Sequence, residues 1–183
     1  MPTLNTPRLE MRRMLPGDSY DMFEYASRPD VTKYLTWEPH PSREYTRDYL
    51  EFLAEKYRAG EFYDWALIWA ADGEMNRRMI GTCGFTRFDL NNNSAEIGYV
   101  INPAFRGRGI APEAVRRVMR YGFDELRLHR LECRYIIGND ASRRVMEKVG
   151  MTYEGTHRGY MLIKGLYRDI GICAITEEEY RGR

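Results

Sequence analysis

The sequence predicts an α/β fold built on a mixed sheet, and three features carry that prediction. Strand-like runs follow one another at 65–71, 79–88 and 94–101. The second and third are joined by Asp89-Leu90-Asn91-Asn92-Asn93, good hairpin chemistry. A glycine-rich loop and an amphipathic helix then lead to a strand at 130–137, a crossover that makes neighbouring strands parallel. Two long strand-like runs, 152–163 and 167–175, flank a turn at Lys164-Gly165.

The remaining elements follow in order. Residues 8–15 alternate as a first strand, broken by Pro16-Gly17. Asp18 is placed to cap a helix to about Ser27, with Met22, Phe23 and Ala26 on one face. Pro29 opens a short turn ending near Tyr34, and 35–41, with Trp37, Pro39, His40 and Pro41, is an aromatic loop. Ser42 as N-cap and Gly60 as stop frame a helix over 43–59, whose apolar stripe is Tyr45, Tyr49, Phe52, Leu53 and Tyr57. A further helix is expected from Asp140 to Val149, and a terminal turn at 176–180.

The 183 residues fit one domain, 1–183, and the 43% hydrophobic content supplies a core for it. With 28 basic and 27 acidic side chains the net charge is +1, without the basic excess typical of duplex nucleic-acid binders. The first thirty residues contain Glu10, Asp18, Asp21 and Asp30 and no apolar run of leader length, so no secretory leader is expected. No run of 18 apolar residues predicts a membrane span. Cys83, Cys133 and Cys173 are odd in number, far apart and set in apolar strand-like runs, which favours buried thiols and a cytoplasmic location. No His/Cys/Asp cluster has metal-ligand spacing, so no metal is expected.

The most informative stretch is Tyr99-Val100-Ile101-Asn102-Pro103-Ala104-Phe105-Arg106-Gly107-Arg108-Gly109-Ile110-Ala111, where a strand ends and a helix begins. Glycine lets backbone approach a ligand closely, and the first amides of a helix lack intrahelical partners. With the helix dipole they form an anion site, and Pro112 fits a first-turn position that needs no amide hydrogen. The pattern is a pyrophosphate cradle. It is not a P-loop, because Gly109-Ile110-Ala111 lacks the Lys and the hydroxyl. Nor is it a dinucleotide fingerprint, because Pro112 interrupts that pattern and the loop follows a meander rather than a first parallel strand. The plain alternative is a helix start that needs glycines only for its turn.

The spacing Arg106-Gly107-Arg108-Gly109-Ile110-Ala111 resembles the acyl-CoA pyrophosphate loop of the GNAT superfamily of N-acetyltransferases. The preceding Ala95-Glu96-Ile97-Gly98-Tyr99-Val100-Ile101 resembles that family's fourth strand. The stretch from Gly138 through Asn139, Ser142, Glu147 and Lys148 to Gly150-Met151 is similar to the branch containing ribosomal-protein N-terminal acetyltransferases, the RimJ/RimL type. Thr6-Pro7-Arg8-Leu9, Val31-Thr32-Lys33-Tyr34-Leu35-Thr36-Trp37 and Gly165-Leu166-Tyr167-Arg168-Asp169 match the same branch, so the resemblance runs from about residue 6 to 177. It implies a mostly antiparallel seven-stranded sheet with helices on both faces, splayed between its fourth and fifth strands.

The resemblance also implies roles. Acetyl-CoA is the expected cosubstrate, held by Tyr99, Val100 and Ile101 at the free strand edge, by the loop residues Arg106, Gly107, Arg108, Gly109, Ile110 and Ala111, and by Asn139 and Ser142. Backbone amides near Val100 and Ile101 are the expected carbonyl polarisers. Glu96, which alternation sets on one face with Gly98 and Val100, is the candidate base that meets the acceptor amine; the alternative is an exposed carboxylate or an ion pair. Asn139 is a pantetheine contact or a helix cap, and Ser142 a proton donor to the departing sulfur or a surface hydroxyl. Met146 stands where many GNAT enzymes carry a tyrosine acid, which leaves Tyr135, Tyr160 and Tyr167 open as substitutes. Tyr34 and Trp37, with His40, are expected to line the acceptor cleft. The partner is a primary amine, on a peptide N-terminus or a small molecule, met by a monomer or a homodimer. The rival from another class is a non-catalytic acyl-CoA-binding module.

Overall fold

In the computed structural model, which describes all residues except 61, 62, 72, 74–76 and 183, the spine is one sheet. Its strands are β1 (Leu4–Asn5), β2 (Leu9–Arg12), β3 (Tyr63–Trp69), β4 (Arg78–Asp89), β5 (Ser94–Ile101), β6 (Arg130–Ile136), β7 (Thr152–Ile163) and β8 (Leu166–Thr176), in the order β1-β2-β3-β4-β5-β6-β8-β7. The seven expected strands are all present, and β1 adds a two-residue edge. Every pairing is antiparallel except β5 with β6, which the crossover helix makes parallel. The helices are α1 (Ser19–Ala26), α2 (Pro29–Thr32), α3 (Arg43–Ala59), α4 (Ile110–Arg120), α5 (Asp140–Lys148) and α6 (Glu177–Arg181). None of the described helices is long and apolar enough to cross a membrane.

Alternation along β3 sorts the molecule into two cores. Trp65, Leu67 and Trp69 face one side, where α4 and α5 pack through Val115, Val118 and Met146. Ala66 and Ile68 face the other, beneath α1 and α3, with Met22, Tyr25, Leu50 and Leu53. All three cysteines are buried free thiols.

Three local expectations are corrected. In α1 it is Tyr25, not Phe23, that joins Met22 and Ala26 in the core. In α3 the buried stripe is Thr46, Leu50, Leu53 and Tyr57, so Tyr45 and Phe52 face outward. The Asp18 carboxylate does not cap α1; it accepts from the Leu15 amide at 2.8 Å and pairs with Arg12 at 2.7 Å. Ser42 does cap α3, accepting from the Tyr45 amide, and Gly60 ends it with φ of 73°.

The feature that positions the site is a defect in the sheet. β5 and β6 pair only at Ser94–Arg130, Ala95–Leu131 and Glu96–Glu132. Beyond Glu96 the strands part, so the edge of β5 from Ile97 to Ile101 borders an open slot.

Candidate active site

Two glycines shape the loop between β5 and α4. Gly107 and Gly109 have φ of 76° and 74°, the left-handed region that costs an L side chain about 1–2 kcal/mol. Gly109 is the N-cap of α4, so the amides of Ile110 and Ala111 have no carbonyl one turn earlier to bond. Arg106 is part of the turn itself, its amide bonded to the Pro103 carbonyl and its Nε donating to the Ile101 carbonyl, both at 3.2 Å. The Arg108 guanidinium lies over the Phe105 ring, and its carbonyl accepts from Arg8 at 2.8 Å. Arg8 in turn pairs with Glu113 of α4 at 2.6 Å, locking loop and helix together. Arg144 and Lys148 of α5 line the same hollow from the opposite wall. Their i, i+4 spacing puts both on one helix face, a signal that was present in the sequence.

A groove leads from this hollow through the slot. The hollow shares Ile101, Arg106 and Val145 with the next stretch, which shares Tyr34, Asn139 and Ser142 with a cleft at the slot. That cleft shares Trp37, Asp64, Thr82 and Val100 with an aromatic pocket of 430 Å³ on the α1–α3 side. Tyr34 therefore borders the groove rather than the aromatic pocket, and Trp37 stands at the junction. His40 lines the pocket, but its Nδ1 is bonded to the Thr46 hydroxyl at 2.9 Å and burial lowers its basicity. Lys164, at the β7–β8 turn, donates to the Thr32 carbonyl at 2.8 Å and pins that hairpin against α2.

At the slot, Asn139 Oδ1 accepts from the Ser142 amide at 3.3 Å, so the capping role is realised while the side chain also lines the groove. The Ser142 hydroxyl lies 2.8 Å from the Tyr99 hydroxyl, and Tyr99 also donates to the Ser142 carbonyl at 3.0 Å. Burial pushes the Tyr99 phenol well up, so it keeps its proton at neutral pH. Met146 is a core residue, and Tyr160 and Tyr167 are exposed, whereas Tyr135 lines the cleft. The phenol beside Ser142 thus belongs to Tyr99, a residue expected to act only through its backbone edge.

Glu96 lines the cleft with one oxygen 3.3 Å from Arg134 Nε. Burial raises its carboxyl and outweighs the opposing pull of Arg134. Arg134 also holds Glu132 at 2.8 Å, so the guanidinium is shared between two carboxylates. The ion pair is present, and the carboxylate is half-buried rather than exposed.

Asp64 was missed, because the predicted strand began one residue later. Its side chain lies across Gly84, where a Cβ would stand 2.8 Å from Oδ1. Burial lifts the carboxyl to about 7, against the pull of the Trp65 amide and the Thr82 hydroxyl. An acid in phase with Ala66 and Ile68, on an apolar strand face, was the available signal.

Residues 8–152 match the family described as Acetyltransferase (GNAT) domain. The chain belongs to the GNAT family of acetyltransferases. This N-acetyltransferase is 33% identical over 182 residues to the N-acetyltransferase p20 of Bacillus licheniformis, covering 100% of both chains. It is 26% identical to the ribosomal protein uS5-alanine N-acetyltransferase of Escherichia coli, over 97% of this chain and 92% of that one. Among solved structures, a GNAT-family acetyltransferase from Bacillus anthracis superposes with a TM-score of 0.83 at 29% identity, covering 97% and 100% of the two chains. The same fold is seen in RimL, a ribosomal L7/L12 alpha-N-protein acetyltransferase solved in complex with coenzyme A, with a TM-score of 0.79 at 20% identity over 96% and 99%.

Proposed function

We propose that this GNAT N-acetyltransferase carries the acetyl group of acetyl-CoA to the α-amine of a peptide N-terminus, by direct attack of the amine on the thioester. The observation that carries the reading is the groove itself, which joins the glycine-shaped end of α4 to the aromatic pocket by way of the β5–β6 slot. Its loop end suits a diphosphate: open first-turn amides, two left-handed glycines without side chains, and Arg144 and Lys148 opposite.

Acetyl-CoA supplies an activated acyl group, and the residues divide the rest of the work. Tyr99, Val100 and Ile101 offer the unpaired edge of β5 to the pantetheine arm and, through the amides near Val100, hydrogen bonds to the thioester carbonyl. Asn139 and Tyr34 flank that arm. Ser142 faces the sulfur with Tyr99 behind it: the serine hydroxyl hands a proton to the departing thiolate and regains one from solvent, while the Tyr99 phenol, which keeps its own proton, holds the serine in place. Glu96, directly or through a water, accepts the proton lost by the amine.

The α-amine is favoured by the state of that base. A carboxylate, even one whose basicity burial raises against the pull of Arg134, is a weak base beside an amine. An α-amine with pKa near 8 needs little help at pH 7, whereas an alkyl amine near 10.4 costs about 3 kcal/mol more to deprotonate. The likeness to a uS5-alanine acetyltransferase supports the same acceptor class. One observation favours a second reading, a free small amine: the aromatic pocket is walled by the 37–41 loop and by α1 and α3, a size suited to a compact molecule.

The test is thiol release from acetyl-CoA in the presence of a panel of alanine-, serine- and methionine-leading peptides beside polyamines and amino sugars. Turnover confined to peptides supports the proposal, turnover confined to small amines supports the second reading, and binding of acetyl-CoA without turnover of any acceptor overturns both.

A further inference from the structure

Two residues that line the aromatic pocket carry a side-chain oxygen without a hydrogen-bond partner among the described residues. Asp64 Oδ1 and Tyr25 Oη are shut off from solvent and have no hydrogen-bond partner among the described residues. Tyr25 is 1% exposed, and both residues line the pocket. A buried polar atom left unpaired costs about 1–3 kcal/mol, so two of them on residues that line one cavity point to a ligand that completes them once the side chains turn toward it.

The surroundings define that ligand's charge. The titratable and charged groups around Asp64 are Tyr25 from α1, Tyr45, Tyr49 and Tyr57 from α3, Cys83 from β4, and Glu38 and His40 from the aromatic loop. None of them is a cation at neutral pH: burial keeps the Tyr25, Tyr49 and Tyr57 phenols and the Cys83 thiol protonated, burial lowers the basicity of His40, and Glu38 is acidic. Arg134, the guanidinium of the neighbouring cleft, is engaged by Glu96 and Glu132. The walls are aromatic, with the His40 ring 5.2 Å from Trp37 and 5.7 Å from Tyr49. A carboxylate among ring faces suits an ammonium ion, which gains a charge-assisted hydrogen bond and cation–π attraction together. Asp64 also stands with Val100 at the junction between the pocket and the slot, where an acceptor would meet the thioester.

We propose that the aromatic pocket is the seat of the acceptor's primary ammonium group and that Asp64 is the residue that binds it, with Tyr25 accepting a further N–H. The assignment rests on the acetyltransferase reading above and narrows the acceptor to amines that arrive as cations on an apolar carrier. Glu96, already paired with Arg134, is thereby left for the proton rather than for charge recognition.

The experiment separates this assignment from the activity. Calorimetry on the coenzyme A-loaded protein compares phenethylamine, a cation at pH 7, with 2-phenylethanol, its uncharged counterpart. The wild-type protein is expected to prefer the ammonium by about 10- to 100-fold, the worth of one hydrogen bond to a charged group. Asp64→Asn is expected to erase that preference while coenzyme A affinity stays unchanged, and Tyr25→Phe to reduce it in part. Asp64→Ser serves as the second uncharged variant if Asn misfolds. Equal wild-type affinity for the two compounds, no binding of either, or a preference that survives at Asn or Ser overturns the assignment. An alanine-leading tripeptide amide in place of phenethylamine tells a peptide source of the ammonium from a small-molecule one. Ammonium preference without thiol release from any acceptor would leave Asp64 standing and sink the transferase chemistry instead.

Discussion

The Tyr99 hydroxyl sits 2.8 Å from the Ser142 hydroxyl across the slot between β5 and α5. Tyr99 belongs to the strand and Ser142 to the first turn of the helix, so two elements far apart in sequence meet at one pair of hydroxyls. Ser142→Ala is expected to lower kcat by about 100-fold with little change in the KM for acetyl-CoA, the usual span for losing a general acid. Tyr99→Phe should cost less. The double variant should be no worse than Ser142→Ala, because residues acting in series are not additive. Steady-state rates of the four proteins check this, and additive losses would separate the two hydroxyls.

Gly109 holds φ of 74° at the start of α4. Gly109→Trp is expected to abolish acetyl-CoA binding, since the indole would stand where a diphosphate approaches the open amides. Gly109→Ala should destabilise the fold by about 1–2 kcal/mol through its backbone alone. Calorimetric affinity and thermal melting read the two effects; unchanged affinity in the Trp variant would remove the loop from the site.

Glu96→Gln tests the base. Burial raises the Glu96 carboxyl, so the wild-type rate should climb as pH rises through that elevated value. The Gln variant loses this limb and follows only the ionisation of the amine. Its deficit should therefore be largest below the amine's own pKa and close above it. Superimposable pH–rate profiles would clear Glu96 of the role.

Asp64 makes a separate prediction about stability. Its folded carboxyl, at about 7, lies above the unfolded reference of 3.8. Between those values the unfolded chain gives up its proton first, so the folded state loses stability as pH rises from about 4 to about 7, and loses no more beyond. The loss is at most about 4 kcal/mol, from about 1.4 kcal/mol per unit. Asp64→Asn lacks this loss and should unfold at higher urea than the wild type at pH 8, the gap shrinking toward pH 4. A wild-type midpoint that equals or exceeds the variant's at pH 8 would contradict the burial of that charge.

The local rules that could be read from the sequence are those with a single owner. Ser42 and Gly60 bracket α3 because capping depends on one residue and its immediate amides. Gly107 and Gly109 announce the loop because only glycine is at ease there. The face of α3 was harder: Tyr45 and Phe52 are apolar enough to fill a stripe, but the sheet beneath the helix selected Thr46 and Leu50. The phenol of Tyr99 and the carboxyl of Asp64 were illegible for a related reason. Their chemistry depends on a neighbour 43 residues away in one case, and on closure of a pocket by α1, α3 and the 37–41 loop in the other. Periodicity states which way a side chain points along its own strand, not what another element brings to meet it.

The parting of β5 and β6 after three residue pairs lets the groove cross from one hydrophobic core to the other. The hollow at the glycine loop rests on the layer containing α4 and α5, and the aromatic pocket on the layer containing α1 and α3. Selection for a new amine can therefore act on Tyr25, Trp37 or Tyr49 while leaving Gly109 and Arg144 untouched.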